Sequence, residues 1–577
     1  MPLVIPQNTS WQDTAALVQK HRDETISAVA PAIPEVPSEL PLNVISIPSQ
    51  LLSHSEITIT QTLPEDLLAA LATGQLTSTN VTNAFLRRAG LAQKLVNCVT
   101  ELLPDRALER ARYLDEYFTR HGEPIGPLHG LPISVKEHVG MKDLDLNAGF
   151  VSWVGRTGPA NAYILDLLWN AGAVFYVRTT QPQTLMHLEA ASNVHGVTVN
   201  PYNRALTSGG SSGGEGALMG MRGSCLGIGT DIGGSIRSPA ANNGVYGLRP
   251  TSYRLPLVGC AATMLGQEHI VAVIGPLSTS VGGIKVFMKT IIDQKPWMGD
   301  PSLLPFPWRD TARDGGSLLK KDKTSGRRGL KIGVLADDGV VRPHPPILRA
   351  LKTLVGRSKG QEAIEIVEFP PYKHDLAWTI ISSLYFADNG SEEKEAIESS
   401  GEPWRPLSRF IITDNRNVKE MDVREVWRMT GRREVYRAEY LAHWNKVGIV
   451  PKTDGEATET WPANVEDEQV DVLLCPVGPG AAPPLDNARY WGYTAQWNVL
   501  DYPALVFPTG LHVEPELDKR EDEYQARNAD DQFNYNRYEP ERYRDTPISL
   551  QLVGRRYEDE KVMEAFELIK EISGLPF

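Results

Sequence analysis

Apolar and polar positions along this chain alternate between a helical and a strand-like rhythm. From Pro64 the run PEDLLAALATG spaces its apolar residues for a helix and closes on Gly74, a natural C-cap; Ser78 or Thr79 can then cap a second helix over STNVTNAFLRRAGLAQKL. A third helix is expected from roughly Pro104 to His121. Elsewhere short runs turn β-branched and aromatic: ISV just ahead of Lys136, and VFYVR after Leu165, Leu167, Leu168 and the small residues Ala171-Gly172-Ala173. Helix then strand, repeated, predicts an α/β fold.

Three segments fall outside this rhythm. Residues 1–60 hold one short amphipathic stretch, WQDTAALVQKHRDETISAV, and are otherwise rich in Pro and Ser, so an N-terminal extension wrapping the surface is expected. Asp300 to Gly329 is polar and Pro/Gly-rich with the basic runs KKDK and GRR, as in an exposed linker, before LKIGVLADDG resumes the sheet. Glu514 to Asp545 is densely charged and lacks apolar periodicity, the pattern of a surface insertion. No internal repeat is present. No stretch reaches the ~18 apolar residues of a membrane helix, and the N-terminus lacks the basic flank and apolar run of a signal peptide; no transmembrane anchor is expected.

Length and composition narrow the classes further. At 577 residues the chain alone would suggest three or four domains. A formal charge of −13 argues against a nucleic-acid partner. Cys98, Cys225, Cys260 and Cys475 are far apart and show no C-x-x-C or Cys/His spacing, which predicts reduced thiols in a cytoplasmic protein and no metal site. Cys225 reads as a buried small residue. The histidines form no metal-binding cluster.

The chemistry is concentrated in Ser208 to Pro250, SGGSSGGEGALMGMRGSCLGIGTDIGGSIRSPAANNGVYGLRP. Such glycine density costs backbone entropy and is unsuited to regular structure. It suits a site where backbone N–H groups converge on a reacting carbonyl beside a serine nucleophile. A phosphate loop is excluded because no Lys follows the glycines, and the G-x-G-x-x-G spacing fails by one residue. A nucleophile elbow, G-x-S-x-G, occurs twice, centred on Ser211 and Ser212, but NRALTSGG before it is a poor strand. Lys136, in GPLHGLPISVKEHVG, leaves a short apolar strand and is expected to point inward.

Taken together, GLPISVKEHV, GGSSGGEGAL and GTDIGGSIRSPA, in this order and spacing, resemble the amidase signature family. The likeness extends to DRALERARYLDEYF, AGAVFYVRTTQPQTLM, VNPYNRA and PISLQLVGRRYEDEKVMEAF, with the fungal acetamidase and fatty-acid-amide-hydrolase-like branch nearest. The resemblance implies one large α/β unit over residues 61–577, a mixed β-sheet covered by helices on both faces, with 300–329 and 514–545 as surface insertions. Some fatty-acid-amide relatives carry an N-terminal anchor, which is not expected here. No cofactor and no metal are implied; the expected partner is a small-molecule amide, and a homodimer is suggested.

By the same resemblance Ser235 is the nucleophile, Ser211 the bridging serine after a cis peptide at Gly210–Ser211, and Lys136 the base. The N–H groups of Ile232, Gly233, Gly234 and Ser235 would hold the oxyanion. Ser212, Thr230, Asp231 and Arg237 would support them, the last three otherwise being ordinary structural ion-pair residues. Leu185 would border the substrate passage together with Ser211. Tyr490, Trp491, Tyr493 and Trp497 would either line an acyl pocket or pack in the core. The implied reaction is hydrolysis of an amide to the acid plus ammonia or an amine, with no histidine taking part. Two rival readings are a partner-dependent amidotransferase subunit and a serine esterase using Ser212 with a downstream Asp and His.

Overall fold

In the computed structural model, which describes residues 5–6, 9–310, 316–321, 328–449, 452–453, 459–460 and 469–576, eleven strands form the path of one continuous mixed sheet, with the two-residue strand Lys320–Lys321 paired off that path. In chain order they are β1 (Val99–Leu102), β2 (Pro132–Lys136), β3 (Val174–Thr179), β4 (Leu226–Asp231), β5 (Tyr246–Arg249) and β6 (Val273–Ser278). The second half supplies β7 (Arg328–Val334), β8 (Ile364–Glu368), β9 (Val472–Pro476), β10 (Ala504–His512) and β11 (Pro547–Val553). Their spatial order is β1-β3-β2-β4-β6-β5-β10-β11-β9-β7-β8. β2 runs parallel to β3 and β4, and β7 parallel to β8 and β9; the other neighbours are antiparallel.

Every residue of β2, β3, β4, β6, β9 and β11 is buried. Strands buried on both faces need helices on both faces. The alternation within β9 shows the two sides: Val472 and Leu474 join the larger apolar cluster, Leu473 and Cys475 the other.

The helices used below are α1 (Trp11–Ser27), α2 (Pro64–Ala72), α3 (Ser78–Val96), α4 (Pro104–His121), α5 (Gly213–Gly220), α6 (Arg237–Asn242), α7 (His374–Tyr385), α8 (Gly492–Leu500), α9 (Ala529–Tyr535) and α10 (Asp559–Ser573). α2, α3 and α4 form where the periodicity places them. The cap of α3 is Thr77, whose Oγ1 accepts from Asn80 N, and not Ser78 or Thr79. Those two residues instead donate their N–H groups to the Asp115 carboxylate of α4, which ties the two helices together.

The three segments outside the rhythm are built in to different depths. In the extension, Ile33, Val44 and Ile47 enter the main apolar cluster, and α1 packs on β1. Within 300–329, Leu303 and Leu319 are buried and Arg309 pairs with Glu560 of α10; parts of the KKDK and GRR runs lie outside the described residues. Residues 514–545 contain α9 and bury Asp518, Asp531, Tyr538 and Tyr543. Arg349 grips Asp518 with two hydrogen bonds, Nε to Oδ1 at 2.7 Å and Nη2 to Oδ2 at 2.8 Å. Ion pairs and a few separate tyrosines, Tyr538 and Tyr543 in the main apolar cluster, attach this segment rather than a regular apolar stripe, so its sequence shows no periodicity.

Candidate active site

Lys136 is the last residue of β2, inside the parallel β3-β2-β4 portion of the sheet. Alternation sends Ile133 and Val135 into the apolar cluster and Ser134 and Lys136 to the side of α5. Its ammonium position has no solvent exposure. Burial pushes the amine from 10.5 down to about 7, against the opposing pull of the Asp231, Glu215 and Glu137 carboxyls. Nζ lies 2.6 Å from Ser211 Oγ and 3.0 Å from Thr230 Oγ1.

Ser211 follows a cis peptide at Gly210, as the sequence reading expects. A Cβ on Gly210 would stand 2.3 Å from Glu189 N, so no larger residue fits there. Next to it, Ser212 N donates to Ser235 O at 3.1 Å, and Ser212 Oγ exchanges hydrogen bonds with the Thr230 backbone. Ser212 thus joins the two serine segments and is not turned to a histidine.

Ser235 sits on the loop from β4 to α6, held by Asp231 and Arg237. Asp231 Oδ1 accepts from Gly234 N, Arg237 Nη2 and Asn498 Nδ2, each at 2.9 Å; Oδ2 accepts from Ile236 N and Arg237 Nε. The guanidinium holds the carboxyl well below the usual carboxylate range against its burial. From the other side Tyr385 Oη donates to Ile232 O and Thr494 Oγ1 to Gly233 O, both at 2.7 Å. With these carbonyls drawn outward, the N–H groups of Ile232, Gly233 and Ser235 have no protein acceptor among the described residues. The Gly234 N–H differs: the Asp231 carboxylate already takes it, which leaves three of the four expected oxyanion donors.

The match to the Amidase family model spans residues 80–563. The chain belongs to the amidase family. It is 44% identical over 562 residues, 97% of this chain and 98% of the other, to a Schizosaccharomyces pombe protein named for that family. It is 38% identical over 567 residues to the acetamidase of Emericella nidulans, 98% of each chain being covered. A solved fatty acid amide hydrolase superposes with a TM-score of 0.88 at 35% identity, over 98% of this chain and 95% of that one. As an amidase-family member the chain is an amidohydrolase of C–N amide bonds.

Beside the two serines this amidase-family fold has a cavity of about 210 Å³. Ser211, Ser235, Leu185, Met186, Cys260 and Leu265 are among its lining. Leu185, expected at a substrate passage, does face it, from a left-handed backbone at φ 61°. Tyr490, Trp491, Tyr493 and Trp497 do not; Trp491, Tyr493 and Trp497 are buried in packing, while half-buried Tyr490 lines a separate cavity. Tyr493 Oη donates to Val341 O at 2.6 Å, Tyr490 bonds Asp338, and Trp491 lies under Gly233, where a Cβ would come within 2.9 Å of its ring. Cys225 is fully buried, and burial pushes its thiol up to about 12. Among the described residues no helix is long and apolar enough to cross a membrane.

Several site residues escaped the sequence reading. His138, two residues beyond Lys136, places Nε2 2.8 Å from Thr230 Oγ1. Tyr385, Thr494 and Asn498 shape the Ser235 loop from α7 and α8. Buried Glu215 accepts from Ser134 at 2.6 Å and Thr179 at 2.7 Å beneath the lysine. Only His138 and Glu215 adjoin a motif; the other three carry no local signal.

Proposed function

We propose that this protein hydrolyses carboxylic acid amides to the acid plus ammonia or an amine, through an acyl-enzyme on Ser235. Ser235 Oγ attacks the amide carbonyl carbon as its proton passes to Ser211 and the Ser211 proton passes to neutral Lys136. The carbonyl oxygen becomes an oxyanion that the N–H groups of Ile232, Gly233 and Ser235 receive. When it collapses, the C–N bond breaks and the lysine proton returns through Ser211 to the departing nitrogen. Water then uses the same relay in reverse order to free the acid and restore Ser235.

The observation that carries this reading is the fully buried Lys136, its amine held near neutrality 2.6 Å from Ser211 Oγ, beside a serine loop with three uncommitted N–H groups. Acetamidases and a fatty acid amide hydrolase among the relatives bracket the acyl size. The small cavity favours short aliphatic or aryl acyl groups, since a fatty chain would have to leave it past Leu265. The test is amine release from short, aryl and long-chain amides by the wild type, Lys136→Ala and Ser235→Ala. Turnover that needs both residues is expected, with short or aryl amides preferred; full activity in either variant would overturn the relay.

A further inference from the structure

The hydrogen bonds around Thr230 run in one direction only, and His138 fixes that direction. His138 is buried, and its backbone is pinned on both sides: its N–H donates to Gln181 Oε1 at 3.1 Å and its carbonyl accepts from Ala261 N at 2.8 Å. Its ring lies between two oxygens, Nδ1 being 2.8 Å from Ala261 O and Nε2 2.8 Å from Thr230 Oγ1. A carbonyl oxygen can only accept, so Nδ1 carries the ring hydrogen. Burial and the nearby lysine push the imidazole down to about 3, so the ring is neutral and Nε2 is a bare acceptor. The single hydroxyl proton of Thr230 therefore points at His138.

That orientation decides what Lys136 meets. Thr230 Oγ1, 3.0 Å away, offers the amine only a lone pair, and Lys136 must donate an N–H to it. A neutral amine has one lone pair. With Thr230 turned away, that lone pair is left for the Ser211 hydroxyl at 2.6 Å. Were the Thr230 proton free to rotate, it would compete with Ser211 for the amine, and the base would be occupied by the wrong partner.

We propose that His138 is a positioning residue that orients the Thr230 hydroxyl and so reserves the Lys136 lone pair for Ser211. The inference rests on the lysine-base reading given above. It assigns a role in the proton relay to a histidine that acts through Thr230, both residues lying in the wall of the cavity beside the serines. A histidine that merely fills space would leave the relay indifferent to its nitrogen atoms.

A double-mutant cycle separates the two cases. His138→Phe, Thr230→Val and the double variant are compared with wild type for kcat and KM on the best amide, with thermal melts alongside. His138→Phe is expected to lower kcat by about tenfold, as for one misdirected hydrogen bond, with KM little changed. It should add nothing in the Thr230→Val background, and His138→Gln, whose amide oxygen can accept from Thr230, should recover most of the loss. Unchanged kcat in His138→Phe, or losses that multiply in the double variant, would overturn the proposal. If His138→Phe does not fold, His138→Met takes its place in the cycle. Lys136→Ala and Ser235→Ala are run in parallel: activity in either defeats the relay itself, whereas two inactive variants with a multiplicative cycle defeat only the role of His138.

Discussion

In the proposed relay, burial is what lets Lys136 serve as a base rather than an acid. In water a lysine at neutral pH is an ammonium with nothing to accept a proton; in the interior the charged form loses its hydration, and the amine falls to about 7. The reactive form is the deprotonated one, so kcat/KM should climb as pH rises through about 7 and level off above it. Two neighbours modify the limb. Glu137 and Glu215, fully buried, are themselves pushed up to about 7, and each proton they lose adds a negative charge that favours the ammonium. The groups titrate together, so the rise should be broader than one proton would give, less than tenfold per pH unit. A pH–rate profile on a non-ionising amide checks this; an optimum in acid would contradict it.

The loop from β4 to α6 is where the sequence was most legible, and also where it stopped. Its serines and glycines are contiguous, so their spacing displayed the motif directly. What shapes the loop is remote: Tyr385, Thr494 and Asn498 stand 153, 261 and 267 residues from the atoms they hold. No local pattern announces such partners, and Trp491 and Tyr493, legible as aromatics, were equally consistent with a pocket until their contacts were seen. The consequence is sharpest at Gly234. Its φ of 135° belongs to glycine, and a Cβ would lie 2.4 Å from Thr494 Oγ1, the group that draws the Gly233 carbonyl outward. Gly234→Ala should therefore twist the loop out of register and lower kcat by at least about a hundredfold, comparable to losing an oxyanion donor. The sheet beneath is untouched, so the melting temperature should fall by only a few degrees. Turnover and a thermal melt on the same preparation test both halves, and near-wild-type kcat would mean that the N–H groups of this loop do not hold the oxyanion.

At the scale of the molecule, strand and helix rhythm disclosed the α/β class, while the order of eleven strands, set by contacts between distant segments, was not readable from one chain. The N-terminal extension illustrates the limit. Its amphipathic stretch was visible, but not its place: α1 covers β1, the edge strand of the sheet. Thr25 Oγ1 accepts from Leu102 N at 3.0 Å, capping a backbone donor that an edge would leave open, and Gln19 Nε2 donates to Val194 O at 2.9 Å. His21 stands 3.4 Å from Glu101, which in turn pairs with buried Arg178 at 2.7 Å; Arg178 also donates to the Glu137 carbonyl beside Lys136. Removing residues 1–30 would uncover both an edge strand and this chain of charges. Unprotected edges pair with other chains, so the truncated protein should melt at lower temperature and self-associate in light scattering, with turnover reduced through the loosened Arg178–Glu137 contact. The pH sense is fixed by His21, whose pKa Glu101 raises above 6.5. The stability that this pair contributes is complete below the unfolded value and fades as pH rises through the folded one. The stability gap between full-length and truncated protein should accordingly be wider at pH 6 than at pH 8, and a gap that is the same at both pH values would show that α1 is held by its apolar face alone.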